Sequence, residues 1–267
     1  MISTSFYRPV SGTLSRVLRR IDLRDREGPL DLHLPRPDSG AQAPITEVRQ
    51  IISEVREGGD ASIRELTQRF DSVDVVLPRV SERELEEAWS SLGSDLVDAL
   101  ELAHDRILHF HQQEAGQSHE VTQDDIKVTS VPQPVERAGL YVPGGRAVYP
   151  STVLMTALPA RAAGVDELVL CTPPNPSGDI EQVVLAAAYL CGVTEVYKIG
   201  GVQAVAAMAY GSETIRPVDV IAGPGNLWAA TAKQEVAGMV GIAAAFAGPS
   251  EIVVVGDETC PSTSAAI

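Results

Sequence analysis

The second half of the chain alternates two patterns, and that alternation limits the fold more than any other feature. Short apolar, β-branched runs at 139–142, 167–171, 195–199, 218–221 and 251–255 are separated by helix-length stretches at 151–163, 179–190, 202–209 and 227–236. Strand, helix and strand at this spacing need crossover connections, which are right-handed and generate parallel sheets. The runs carry almost no charge, as strands do when helices cover both faces. The pattern predicts an α/β protein with a Rossmann-like, doubly wound parallel sheet.

The region before it has a different composition. Residues 1–130 hold 15 basic and 24 acidic side chains, against 6 and 12 in the rest of the 267-residue chain. This reads as an N-terminal helical region with solvated faces. Residues 1–40, with Pro9, Pro29, Pro35 and Pro37, lack a sustained period and read as a loosely ordered tail with one short strand near 18–23. Apolar residues at Ile45, Val48, Ile51, Ile52 and Val55 recur at helical spacing. Gly58-Gly59 ends that helix, and Asp60 is placed to cap the next, at 61–70. Ser81 and Glu84 are spaced as a capping box, and a longer helix is expected over 95–111.

Charge and composition exclude several classes of function. A net charge of −15 opposes general nucleic-acid binding. No apolar run reaches the ~18 residues of a membrane span, and the first residues lack the pattern of a signal peptide. Three cysteines, Cys171, Cys191 and Cys260, form no disulfide framework. Cys171 and Cys191 read as buried structural thiols. His104, His109 and His111 do not share one helix face, and no cysteine or carboxylate completes a metal-ligand set with them. They read as part of a solvated surface. The composition points to a soluble, cytoplasmic protein that binds neither nucleic acid nor membrane.

Three glycine turns follow predicted strands: Pro143-Gly144-Gly145, Gly200-Gly201 and Gly223-Pro224-Gly225-Asn226. A weak internal repeat links the first two, Tyr141 to Val148 resembling Tyr197 to Val205. Glycines at such turns often serve the turn alone. All three, however, fall at the carboxyl edge of the sheet, where open α/β folds bind ligands and helix N-termini favour anions. The usual G-x-G-x-x-G dinucleotide fingerprint is absent, so the residues by themselves specify an anion-binding edge. Ser250, in Ala247-Gly-Pro-Ser-Glu251, is placed either to hydrogen-bond a substrate or to cap a turn.

Several segments together resemble the histidinol dehydrogenase family. They are Ala138-Gly-Leu-Tyr141-Val-Pro-Gly-Gly145, Tyr149-Pro-Ser-Thr-Val-Leu-Met155, Gly200-Gly-Val-Gln203-Ala-Val205, Ala222-Gly-Pro-Gly-Asn226 with Ala232-Lys233, and Ala247-Gly-Pro-Ser-Glu251. The resemblance runs over about 45–260 and is densest from 138 to 255. It implies an NAD-dependent, zinc-containing enzyme of histidine biosynthesis that oxidises L-histidinol, a small amino alcohol, to L-histidine through an aldehyde. On the matching positions it implies cofactor contacts at Tyr141, Gln203 and Asn226 and a substrate contact at Ser250. It further implies a homodimer built from two incomplete Rossmann-like domains. In this chain they divide as a first domain of 41–135 continued by 249–267, and a second, NAD-binding domain of 136–248.

Two departures bear on activity. The family's zinc ligands and its catalytic Glu-His pair belong to segments beyond Ile267, so the resemblance predicts neither a metal ligand nor a catalytic residue in these 267 residues. It predicts no activity for the chain by itself. Where the family has I-D-x-x before Ala247-Gly-Pro-Ser-Glu251, residues 242–246 read Ile-Ala-Ala-Ala-Phe, one residue longer and without Asp. Two other readings stay open on sequence: a non-catalytic short form that binds a nucleotide or pairs with a longer chain, and a related NAD-dependent dehydrogenase of another alcohol.

Overall fold

A computed structural model describes residues 28–29, 43–76, 78–114, 116–144 and 147–243. The expectations for the tail before residue 28 and for the strand at 251–255 lie outside these residues. So do those for Gly145, Ser250, Cys260 and the 249–267 continuation.

Three helices come first. Helix α1 spans Ile45–Asp71, α2 Glu82–Ser90 and α3 Ser94–Glu114. A two-stranded antiparallel hairpin follows, β1 His119–Gln123 and β2 Ile126–Ser130. The alternating region then runs β3 Arg137–Tyr141, α4 Pro150–Ala162, β4 Glu167–Thr172, α5 Gln182–Leu190 and β5 Glu195–Lys198. It continues with α6 Gly201–Tyr210, β6 Val220–Ala222, α7 Leu227–Val236 and β7 Gly241–Ile242. All of these elements fall in one compact unit, residues 42–248.

β3 to β7 form a five-stranded sheet in the order β5-β4-β3-β6-β7, and every neighbouring pair is parallel. The chain winds outward from β3 to β5, returns to β6 beside β3, and winds outward again. This is the doubly wound arrangement, and its switch point lies between β3 and β6.

The strands alternate sides. Leu140, Leu168, Leu170 and Val196 join one apolar core with side chains of α2, α3, α4 and α5. Tyr141, Val169, Cys171, Tyr197 and Ile221 join the other with side chains of α1, α6 and α7. Period-two alternation thus feeds two cores, and all five residues of β3 are buried. The charge-rich N-terminal helices supply the outer layers, which is why that region is amphipathic and the sheet is not.

Local signals explain the helix boundaries. Ser81 and Glu84 form the capping box of α2 reciprocally. Gly59 breaks α1 with φ 51° and ψ −135°. The cap after it differs from the sequence expectation. Asp60 does not supply it: the Glu213 carboxylate, in the loop after α6, accepts the Asp60 backbone N–H at 2.7 Å. The Asp60 side chain instead accepts from the Thr214 hydroxyl at 3.1 Å. A Cβ on Gly59 would stand 2.2 Å from the Glu213 carboxylate, so the glycine also clears space for that contact.

At the amino edge of the sheet Arg137 is buried. Its guanidinium donates to both oxygens of Glu195, at 2.7 and 2.8 Å, and to Glu167 at 2.8 Å. The paired carboxylates offset the desolvation of the charge and tie β3 to β4 and β5, leaving the opposite edge for chemistry.

Candidate functional site

The carboxyl edge around the switch point encloses a cavity of about 720 Å³, within the range typical of small-molecule and cofactor sites. Four turns build it. The chain leaves β3 through Pro143 and Gly144, and leaves β4 through Thr172, Pro173, Pro174 and Asn175. The third turn, Gly200-Gly201, opens α6. The fourth, Gly223-Pro224-Gly225-Asn226, opens α7. Phe70 and Asp71 reach the same cavity from the end of α1, and Trp228 from the first turn of α7.

The turns require their glycines. Gly223 has φ 119°, and a Cβ there would lie 2.1 Å from the Tyr141 carbonyl oxygen. Gly201 has φ 62°. Cβ atoms on Gly144 and Gly200 would each meet the Pro173 ring at 2.4 Å. The turns after β3 and β5 therefore both close onto one proline.

Three residues singled out from the sequence come together at this cavity: Tyr141, Gln203 and Asn226. Tyr141 ends β3 and is 4% exposed. Its hydroxyl accepts the Gly201 N–H at 3.1 Å, which leaves the O–H proton for another acceptor. Burial raises its pKa, so the phenol stays neutral. Gln203, in the first turn of α6, is 1% exposed, and its Nε2 has no hydrogen-bond partner. An unpaired buried donor costs free energy and points to a missing acceptor. Asn226 caps α7, its Oδ1 accepting the Ala229 N–H at 3.1 Å. The first-turn N–H groups of α6 have no intrahelical acceptors and carry the positive end of the helix dipole.

Two residues without a sequence assignment belong to the site. Lys233, buried on α7, donates to the Gly223 carbonyl oxygen at 2.6 Å and anchors that turn from behind. Burial lowers its pKa. Asp71 lines the cavity with a buried, unpartnered Oδ2, and burial pushes its carboxyl up to about 6. Lys233 was visible as part of the Ala232-Lys233 motif. Nothing local marks Asp71, whose placement depends on α1 packing against α6.

The other sequence candidates lie elsewhere. His104 pairs with Asp105 and His111 with Glu114 along α3. Cys171 and Cys191 are buried, and burial pushes both thiols up to about 12, which keeps them protonated and inert at neutral pH. Among the described residues no group of three His, Cys, Asp or Glu is placed to hold a metal ion. These residues therefore do not fit zinc, and no step is assigned to it. No described helix is long and apolar enough to cross a membrane.

A five-stranded doubly wound sheet with glycine turns around a switch-point cavity places the chain in the Rossmann-like α/β class. The sequence model of the family described as histidinol dehydrogenase matches residues 34–267. A histidinol dehydrogenase of Parasynechococcus marenigrum is 49% identical over 217 residues, 78% of this chain and 48% of that protein. One from Methanothermobacter thermautotrophicus is 46% identical over 255 residues, 95% of this chain and 55% of that protein. The crystal structure of histidinol dehydrogenase from Elizabethkingia anophelis superposes with a TM-score of 0.76 at 35% identity, covering 80% of this chain and 50% of that one. The chain belongs to the histidinol dehydrogenase family. It spans about half the length of the curated relatives it matches.

Proposed function

We propose that this chain provides the NAD-binding part of a histidinol dehydrogenase, an oxidoreductase that converts L-histidinol to L-histidine in two oxidation steps. The carrying observation is that Tyr141, Gln203 and Asn226, drawn from a strand end and two helix starts, line one cavity. The fit to a dinucleotide rests on the cavity's size, the orphaned Gln203 Nε2 and the positive dipole end at the α6 N-terminus.

NAD, when bound, accepts a hydride from the substrate carbon. The residues of this chain bind and orient it. The α6 N-terminus carries partial positive charge suited to the pyrophosphate. The Tyr141 hydroxyl and the Gln203 and Asn226 amides donate to oxygens of the cofactor. Phe70 and Trp228 present apolar surface that excludes water from part of the cavity. Ser250 as a substrate contact, the domain continuation through 249–267, a homodimeric assembly and a cytoplasmic location belong to the same reading, on the strength of the family resemblance.

The test is a titration of the 267-residue chain with NADH, following quenching of the emission of Trp89 and Trp228, of which Trp228 lines the cavity, and the appearance of sensitised nicotinamide emission. Saturable binding that is lost in Gln203→Leu supports the reading, and absence of binding by the wild-type chain overturns it. The activity is tested with a full-length protein containing this chain, by NADH formation from NAD and L-histidinol.

A further inference from the structure

Asp71 is poorly accommodated at the cavity. It is the last residue of α1, where the helix dipole disfavours a negative charge. Its Oδ2 is buried without a partner. The nearby cations are engaged elsewhere: Arg64 donates to Asp74 at 2.5 and 2.7 Å, and Arg69 stacks on the Phe70 ring with its guanidinium carbon 5.0 Å from the centroid. A carboxyl held against desolvation, dipole and lack of a counter-ion points to an external hydrogen-bond donor.

The cavity narrows the identity of that donor. Dinucleotide sites on doubly wound sheets commonly use an acid after the second strand to accept the ribose hydroxyls. In this sheet that strand is β4, and it runs into Thr172-Pro173-Pro174-Asn175-Pro176 with no acid. The two carboxyls that line the cavity are Asp71 and Glu181, and no Lys, Arg or His does so among the described residues. Glu181 is exposed and already accepts from Asn175 Nδ2 at 3.2 Å. Asp71 has no such bond.

We infer that Asp71 accepts the adenosine ribose hydroxyls of the bound dinucleotide and makes the site reject a 2′-phosphate, so that it selects NAD over NADP. This rests on the dinucleotide reading above. The carboxylate offers two acceptors to a vicinal diol. A 2′-phosphate would remove one donor and bring like charge against Asp71 with no described lining cation to offset it.

The experiment measures dissociation constants of NAD and NADP by calorimetry for wild type, Asp71→Asn, Asp71→Ser and Glu181→Gln. Wild type is expected to prefer NAD by at least about tenfold, the scale of one hydrogen bond to a charged group. Both Asp71 variants are expected to lose about tenfold in NAD affinity while the NAD-to-NADP ratio falls toward one. Glu181→Gln is expected to keep the wild-type ratio. The ratio is internal to each variant, so misfolding, which would weaken both ligands alike, cannot imitate the result. The second substitution at position 71 covers a failure of the first to fold. A ratio unchanged in the Asp71 variants, or one that collapses in Glu181→Gln instead, overturns the assignment and leaves the dinucleotide reading intact. Wild type that binds both cofactors equally also overturns it. Wild type that binds neither overturns the dinucleotide reading itself.

Discussion

The Tyr141 hydroxyl accepts the Gly201 backbone N–H at 3.1 Å. This bond joins the end of the central strand to the first residue of α6 and fixes the height of the glycine turn beside the cavity. Tyr141→Phe removes the acceptor and strands the Gly201 N–H. The expected cost is about 1–2 kcal/mol of stability with a fall in NAD affinity. Urea unfolding and calorimetry check both, and unchanged affinity would show that the hydroxyl serves only the fold.

Gly223 faces the same strand from the other side of the switch point. With φ 119° and the Tyr141 carbonyl oxygen 2.1 Å from its would-be Cβ, Gly223→Ala must displace either the turn or β3. The expected destabilisation is more than about 2 kcal/mol. Gly238 has φ 99° and nothing within 4 Å of its would-be Cβ, so Gly238→Ala isolates backbone strain and is expected to cost about 1 kcal/mol. Equal losses in the two variants would show that the close approach to Tyr141 adds nothing.

Lys233 holds the Gly223 carbonyl at 2.6 Å from within the apolar layer of α7. Lys233→Met loses that bond but also ends the burial of a charge, and the two effects oppose each other. Stability is therefore expected to change by less than about 1 kcal/mol. NAD affinity is expected to drop severalfold as the turn loosens. A drop in stability with full affinity would make Lys233 a purely structural cation.

Asp71 predicts a pH signature in stability. Its folded-state pKa, raised to about 6 by burial, lies above the unfolded value near 4. The folded protein thus binds this proton more tightly. The group's contribution is most favourable below about pH 4 and declines as pH rises through about 6. Asp71→Asn is expected to stabilise the protein at pH 7.5 by on the order of 1 kcal/mol, a value reduced for the partial solvation of the group. At pH 4 it should have little effect. Paired urea titrations at the two pH values check this, and a pH-independent difference would refute it.

Much of the sheet was legible because its signals are local. The apolar runs mark four of the five strands from β3 to β7, and helix 227–236 has the bounds seen in α7. Ser81 and Glu84 announced their capping box. The hairpin of β1 and β2 was missed. Its turn uses Asp124 and Asp125, with φ 48° and 63°, where Asn-Gly would have signalled the reversal. Both strands are fully exposed, so no buried face imposed an apolar stripe. The Asp60 cap failed for a related reason: its partner, Glu213, lies 153 positions away. Among site residues, those in the glycine motifs could be read from the chain, whereas Asp71 acquires its surroundings only through tertiary packing.

Pro173 couples two of the turns that build the cavity. The turns after β3 and β5 press on its ring through Gly144 and Gly200, each leaving no room for even a methyl group. A proline ring cannot yield by changing rotamer, and its φ is fixed. The two turns therefore behave as jaws cast around a common pin. A ligand that displaces one turn must therefore move Pro173 as well, and the second turn is expected to shift with the first.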